Sequence, residues 1–226
     1  MSILYIDKSD CVIGKQDNRI TVKYKDGMIC TIPVESIDGI TLLGHAQVTT
    51  QCIQECLKKG ISLSYFSKGG HYFGRLSSTG HIKASLQRKQ AGLYDQPFAL
   101  ELSKKIIYAK IHNQIVVLKR YSRSTNHNIS DIELHMKSAL RKVNYVKSIE
   151  ELMGYEGSAA KYYFKGLSIC IDEAFKFEGR SKRPPRDAFN SMLSLGYSIL
   201  MNELYGEIEI KGLNAYFGFL HRDAEK

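Results

Sequence analysis

The sequence predicts an α+β protein in which a small N-terminal β-domain is followed by an all-helical C-terminal domain. Two observations carry this prediction. Up to about residue 76 the chain contains short segments rich in β-branched residues, separated by turn signals. From about residue 84 onwards the apolar residues recur at helical spacing over long segments. The predicted boundaries are 1–76 for the β-rich domain, 77–84 for a linker and 85–226 for the helical domain.

The strands of the first domain are predicted from short apolar runs that are rich in β-branched residues. They cover residues 3–6, 20–24, 28–32, 40–43 and 61–66. Asp26 and Gly27 predict a tight hairpin turn between the second and third of these strands. One helix is predicted near Thr50–Lys59, and Gly60 is expected to end it because glycine adopts the left-handed conformation of a helix C-terminus.

The helices of the second domain are predicted from the spacing of their apolar residues. They cover 99–123, a segment capped by Ser130 and Asp131, then 148–164 and 187–205. The residues between the last two helices include Pro184 and Pro185, which cannot continue a helix because proline lacks a backbone donor. Asp187 is predicted to be the N-cap of the final helix.

The composition favours a partner that carries many negative charges. The chain has 226 residues, is 43% hydrophobic and has a formal net charge of +9, which points first to nucleic acid. A merely basic soluble protein is the alternative. No segment is long and apolar enough to span a membrane, and the first residues do not form a secretory signal. The five scattered cysteines suggest reduced thiols, so we expect a cytoplasmic protein without a membrane partner.

Two side chains are candidates for the chemistry. Glu156 lies on a predicted helix among small residues, which would let a metal ion or a phosphate come close. His221 follows a turn rich in glycine and aromatic residues. A carboxylate and an imidazole that folding brings together are part of a metal site for phosphodiester chemistry. The alternatives are a solvated helix glutamate and an ordinary surface or core histidine.

A rigid basic loop around the Pro-Pro pair is the candidate contact for DNA phosphates, with a solvated loop as the alternative. Its positive residues are Arg180, Lys182, Arg183 and Arg186. Asn190, on the helix face that follows, is a further DNA-binding candidate. Tyr163 is another, because a tyrosine can stack on a base or bond to a phosphate, although tyrosines of a protein core look the same in a sequence.

Three segments, taken together, resemble a known family. Residues 156–164 read Glu-Gly-x-Ala-Ala-x-x-Tyr-Phe, and residues 218–221 read Gly-Phe-x-His. Residues 180–197 read Arg-x-x-Arg-Pro-Pro-x-Asp-x-x-Asn-x-x-Leu-Ser-x-Gly-Tyr. With a strand-rich domain ahead of a helical one, this order resembles the CRISPR-associated integrase. That endonuclease-like protein inserts new spacers into a CRISPR array.

The resemblance implies a metal-dependent transesterification, in which the 3′-hydroxyl of a captured DNA fragment attacks a phosphodiester at the repeat boundary. Magnesium or manganese would polarise the phosphate and stabilise the departing oxygen. Glu156 and His221 match the family's metal-binding glutamate and histidine, and they are therefore the expected catalytic residues. The expected partners are double-stranded DNA (protospacer and CRISPR repeat), a second copy in a homodimer joined through the β-domains, and a small companion CRISPR integration protein.

The family's third metal ligand is an aspartate farther along the chain. Asp223 and Glu225 lie too close to His221 to be that residue, so we expect the sequence to lack the C-terminal helices of the family. Hard cations want several oxygen ligands, and a glutamate–histidine pair alone should bind magnesium poorly. Two other functions therefore stay open. One is a catalytically impaired dimer that still holds duplex DNA, and the other is a structure-specific nuclease of branched DNA in repair.

Overall fold

The computed structural model of the protein describes residues 2–80, 82–182 and 184–221. Its strands precede its long helices, which confirms the predicted α+β fold class. The described residues fall into two compact units. The first comprises Met1–Ala84 and Leu195–Leu213, and the second comprises Ser85–Ser194 and Asn214–Lys226.

The described strands of the first unit form two four-stranded sheets. In chain order the strands are β1 (Ile3–Ile6), β2 (Cys11–Gln16), β3 (Arg19–Lys23), β4 (Ile29–Pro33), β5 (Gly39–Leu43), β6 (Ala46–Val48), β7 (Ser62–Phe66) and β8 (Tyr72–Leu76). One sheet has the order β1-β5-β7-β8, with only the β7–β8 pair antiparallel. The other has the order β4-β3-β2-β6, with only the β2–β6 pair parallel.

The predicted hairpin joins β3 to β4. Gly27 has a φ of 84°, a left-handed conformation that glycine adopts without strain. The backbone N–H of Tyr24 donates to the carbonyl of Met28 at 2.9 Å, and the two strands pair in antiparallel register. The turn prediction is confirmed.

Helix α1 (Thr50–Lys59) follows β6 and also agrees with its prediction. The hydroxyl of Thr49 accepts a hydrogen bond from the backbone N–H of Cys52 at 3.3 Å, and Gly60 ends the helix with a φ of 74°. Cys52 and Cys56 are fully buried free thiols that pack in the core of this unit. They therefore pack as small apolar core residues.

Three strands were not among those predicted. β2 contains a glycine, β6 has only three residues, and β8 contains Gly74 and has no fully buried residue. Their signals are weak because glycine and short length both reduce strand propensity. They are strands because neighbouring strands supply hydrogen-bonding partners, which a sequence pattern does not show.

The helices predicted at 99–123, 148–164 and 187–205 are each longer in the structure, and a short helix at Ala84–Gly92 was not predicted. After α1 the described helices are α2 (Ala84–Gly92), α3 (Pro97–Thr125), α4 (Ser130–Val143), α5 (Ile149–Cys170) and α6 (Ala188–Ile210). Ser130 was predicted to cap α4, but it is the first helical residue. The side-chain oxygen of Asn128 accepts both its N–H, at 2.9 Å, and its hydroxyl, at 2.8 Å. Asparagine performs this role because its carbonyl has two lone pairs.

The core of the second unit lies between α3, α4 and α5, with fully buried side chains such as Ile111, Met136 and Leu152. Gly166 of α5 sits so close to α3 that a Cβ atom there would lie 2.6 Å from a methyl group of Leu118. A glycine at this position therefore lets the two helices approach closely.

The later part of α6 belongs by its contacts to the first unit, whereas residues 85–226 were predicted to form one helical domain. The guanidinium of Arg75 lies 2.5 Å from the carboxylate of Glu209. The amide of Asn202 donates to the hydroxyl of Ser64 at 2.8 Å. These polar side chains attach the helix to the β-sheet residues. No helix among the described residues has the length and apolar character needed to cross a membrane.

Candidate metal site and nucleic-acid interface

Glu156 projects from α5 towards α3. Ser148 is the N-cap of this helix, and its hydroxyl accepts the backbone N–H of Glu151 at 3.1 Å; Glu156 follows two turns later. One carboxylate oxygen of Glu156 lies 2.5 Å from the ammonium nitrogen of Lys110 on α3. The Glu156 side chain is only 24% exposed. It is therefore a partly buried, paired carboxylate and not a freely solvated helix glutamate.

The surface beside Glu156 is open. A Cβ atom at Gly157 would have no heavy atom within 4 Å, while Ala159 is fully buried against the helical core. Small residues therefore flank the carboxylate on its own helix, as predicted. The helix surface is therefore open at Gly157, the residue that follows Glu156 in the chain.

His221 is exposed and follows a segment that is tied to the helical unit. The side chain of Gln90 on α2 donates to the carbonyls of Asn214, at 2.8 Å, and of Phe217, at 3.0 Å. The ring of Phe219 meets that of Phe98 edge to face, with 5.6 Å between centroids. These contacts place His221 at the surface of the unit that also carries Glu156.

The donor types of this unit suit a divalent cation, although its described part does not complete a coordination shell. Glu156 offers carboxylate oxygens and His221 offers an imidazole nitrogen. Among residues 2–80, 82–182 and 184–221, no group of three or more His, Cys, Asp or Glu side chains could hold a metal ion. Asp223 and Glu225 lie outside the described residues. Glu156 and His221 therefore lie on the same unit and offer donor types that suit such a cation, and their role as metal ligands stays a prediction.

Asn190 organises the basic loop from the first turn of α6. Its side-chain oxygen accepts the N–H of Ser181, at 3.0 Å, and a guanidinium N–H of Arg180, at 2.9 Å. Its amide nitrogen donates to the carbonyl of Gly179, at 2.9 Å, and to the carboxylate of Asp187, at 2.7 Å. The hydrogen-bonding capacity of this amide is fully used within the loop.

This geometry changes the role of Asn190. The residue is 0% exposed, so its side chain does not reach a DNA molecule at the surface. The structure gives Asn190 a positioning role in place of the predicted DNA contact, because burial and four partners leave it nothing to offer a phosphate. Asp187 is confirmed as the N-cap, since its carboxylate accepts the backbone N–H of Asn190 at 2.7 Å.

The remaining DNA-binding candidates differ in exposure. Arg180 is half-buried, and its guanidinium also donates to the hydroxyl of Ser194 at 3.1 Å, so it stabilises the loop from inside. Lys182 and Arg186 are exposed. Arg183 lies outside the described residues. Tyr163 is half-buried, and its ring packs against the helical core beside Phe164. Lys182 and Arg186 are therefore the described loop residues best placed to contact a phosphate.

Lys110 was not identified from the sequence, although it is the residue that pairs with Glu156. The two residues are 46 positions apart and lie on different helices. Helical wheels would show Lys110 near the apolar face of α3 and Glu156 near the apolar face of α5. They would not show that the two helices touch there.

The chain matches the family described as "CRISPR associated protein Cas1" over residues 4–226. A relative from Mycobacterium tuberculosis (strain CDC 1551 / Oshkosh), named CRISPR-associated endonuclease Cas1, is 41% identical over 222 residues. The alignment covers 98% of this chain and 65% of that relative. The chain thus spans about two thirds of the length of this curated relative.

Two solved structures share the fold. A Cas1 protein from Thermotoga maritima superposes with a TM-score of 0.82 at 24% identity, covering 98% of this chain and 70% of that one. A chain of a "Cas6-RT-Cas1--Cas2 complex" superposes with a TM-score of 0.78 at 26% identity, covering 99% of this chain and 25% of that one. Both solved structures therefore share the fold described above.

Proposed function

Because the chain belongs to the family of CRISPR-associated protein Cas1, we propose that it is a DNA endonuclease and integrase of CRISPR spacer acquisition. The observation that carries this proposal is the 41% identity over 222 residues to a relative named as a Cas1 endonuclease. The partly buried Glu156 on an open small-residue surface supports the same reaction class. We assign the chemistry to Glu156 and His221.

The proposed reaction is transesterification, in which the 3′-hydroxyl of a captured DNA fragment attacks a phosphodiester at the repeat boundary. Glu156 and His221 would hold magnesium or manganese, and the open surface at Gly157 would admit the phosphate. The bound cation would supply charge stabilisation at the phosphate and at the departing oxygen. The protein's own contribution is to orient the carboxylate from a helix packed into the core.

Double-stranded DNA is the proposed substrate, as protospacer and as CRISPR repeat. The net charge of +9 would attract the phosphate backbone. Lys182 and Arg186 would contact phosphates from a loop that Asn190 holds in shape. The positive residues would bind without reading sequence, since phosphate contacts position a protein on DNA but carry no base information.

We also propose a homodimer joined through the β-rich unit and a small companion integration protein. The solved "Cas6-RT-Cas1--Cas2 complex" supports the companion, because the chain that resembles this one is assembled there with Cas2. The five free cysteines fit work in the reducing cytoplasm. The molar mass of the protein in solution would test the homodimer. The same measurement with the companion protein added would test their complex.

The test of the proposed function is the variant Glu156→Ala. We expect manganese-dependent DNA cleavage to fall by about a hundredfold or more, because a metal ligand is lost, while DNA affinity stays nearly unchanged. Glu133→Ala is the matched control, since Glu133 is also a partly buried helix glutamate in a lysine pair. Unchanged cleavage by Glu156→Ala would contradict the site assignment.

A DNA-holding protein without catalysis is the second candidate. It is favoured by the finding that no three-ligand group occurs among the residues that the structure describes. DNA affinity without any manganese-dependent cleavage by the unaltered protein would support it. Cleavage that prefers other branched DNA to a repeat–leader junction would instead indicate a repair nuclease.

A further inference from the structure

We propose that Lys110 is a positioning residue of the proposed metal site. Before a cation binds, the Lys110 ammonium neutralises the Glu156 carboxylate. When a cation takes the place of the ammonium, the lysine faces a DNA phosphate. The inference rests on the proposed function, because it takes Glu156 as the cation's ligand. Its own basis is the ion pair between α3 and α5, in which 2.5 Å separates the ammonium nitrogen from the carboxylate oxygen.

The backbone of Lys110 is held in place, so only its side chain can move. Ile107 and Ile111, the neighbouring residues on the same helix, are 1% and 0% exposed in the core. Further along α3, Leu118 packs against Gly166 of α5. The Lys110 side chain is 46% exposed, and its flexible stem can therefore swing into solvent while the helix stays packed.

An ammonium group and a metal ion cannot occupy the same position on one carboxylate oxygen. A magnesium or calcium ion sits about 2.0–2.6 Å from its oxygen ligands, which is the space that the Lys110 ammonium fills here. A cation that takes this position on the oxygen would displace Lys110, and a cation bound beside it would be repelled by the ammonium charge. The lysine thus competes with the cation and lowers its apparent affinity in the free protein.

The displaced ammonium would then be able to contact a DNA phosphate. The helix surface is open at Gly157, which directly follows Glu156 in the chain. A lysine ammonium is a point charge that suits phosphate oxygens. The same side chain would thus reduce charge repulsion between Glu156 and DNA before the cation arrives, and would contact the phosphate afterwards.

The structure offers a matched pair for comparison. Lys119, on the same helix, lies 3.2 Å from Glu133 of α4, and the side chains are 39% and 19% exposed. This pair also joins α3 to another helix, although Glu133 has a second partner in Lys137, whose ammonium nitrogen lies 2.6 Å from the same carboxylate oxygen. It has no role in the proposed site, so its loss reports the purely structural effect of removing an interhelical lysine.

The experiment compares manganese affinity in Lys110→Met, Lys110→Arg and Lys119→Met, measured without DNA by the electron paramagnetic resonance of free Mn²⁺. We expect Lys110→Met to bind Mn²⁺ about two- to fivefold more tightly, the factor that corresponds to an ion pair of this exposure. Lys110→Arg should retain the affinity of the unaltered protein because the competing charge is kept. Lys119→Met should leave Mn²⁺ affinity unchanged.

Equal or weaker Mn²⁺ binding by Lys110→Met would overturn the inference, since a merely structural lysine would not strengthen cation binding when removed. Glu156→Gln separates this failure from a failure of the proposed function. If Glu156→Gln removes Mn²⁺ binding while Lys110→Met has no effect, only the role of Lys110 is refuted. If Glu156→Gln leaves binding intact, or the unaltered protein binds no Mn²⁺, the proposed site is itself wrong.

Discussion

Replacing Asn190 by alanine should loosen the basic loop and weaken DNA binding without touching the proposed metal ligands. The change removes four side-chain hydrogen bonds, which join Asn190 to Arg180, Ser181, Gly179 and Asp187. These partners span the start of the loop and the start of α6. The loop should therefore lose the contacts that set its conformation.

The magnitude follows from the number of bonds. A hydrogen bond in a folded protein contributes about 1 kcal/mol net, and a buried group left without a partner costs about 1–3 kcal/mol more. Part of this cost is recovered, because the loop is half-exposed and water can reach its freed groups. We expect the free energy of local opening to fall by about 2–4 kcal/mol.

The assay is native-state hydrogen exchange of the backbone amides in residues 179–187, which reports local opening without assuming that the two units unfold together. Asn18→Ala is the control. Asn18 is exposed in the first unit, and its side chain donates to Glu35. Removing an exposed bond of this kind should change the free energy of opening by less than about 0.5 kcal/mol.

Unaltered exchange in residues 179–187 of Asn190→Ala would refute the reasoning, because the loop would then owe its conformation to other contacts. A loss of Mn²⁺ binding in this variant would also contradict it. DNA binding that weakens together with the loss of protection would support the positioning role of Asn190.

Two further predictions concern packing and charge. Gly166→Ala should destabilise the helical unit by about 1–3 kcal/mol in urea unfolding, because its Cβ would lie 2.6 Å from Leu118. Gly154→Ala on the same helix, where a Cβ has no heavy atom within 4 Å, should stabilise the unit by about 0.5–1 kcal/mol. Equal effects of the two substitutions would contradict the close helix contact. Replacing Lys182 and Arg186 together by alanine should reduce the slope of log DNA affinity against log salt by about two. An unaltered slope would show that the loop is simply solvated.

Local signals were sufficient for much of the fold. Gly27 suits the hairpin turn because it adopts a positive φ without strain, and the carboxylate of Asp26 accepts the backbone N–H of Met28 at 3.0 Å. Gly60 ends α1 for the same reason. The helical spacing of apolar residues located α3, α4 and α5, since each helix must bury one face in a common core.

The candidate site was predictable only in part. Glu156 and His221 were found from segments that resemble the family, and their assignment as metal ligands is still a prediction. Asn190 was noticed, but its role was misjudged. Its identity shows an amide able to bond to DNA, and only the folded loop shows that all its partners are internal.

The sequence by itself determined that a strand-rich part precedes the long helices, where the β3–β4 turn and the end of α1 lie, and which residue types are available for chemistry. These features depend on interactions within a few residues of each other along the chain. Only the tertiary structure decided that Lys110 meets Glu156, 46 residues away, and that the later part of α6 packs with the β-sheet unit. The physical reason is that such contacts depend on which helix faces pack together, and that choice is made by the whole core.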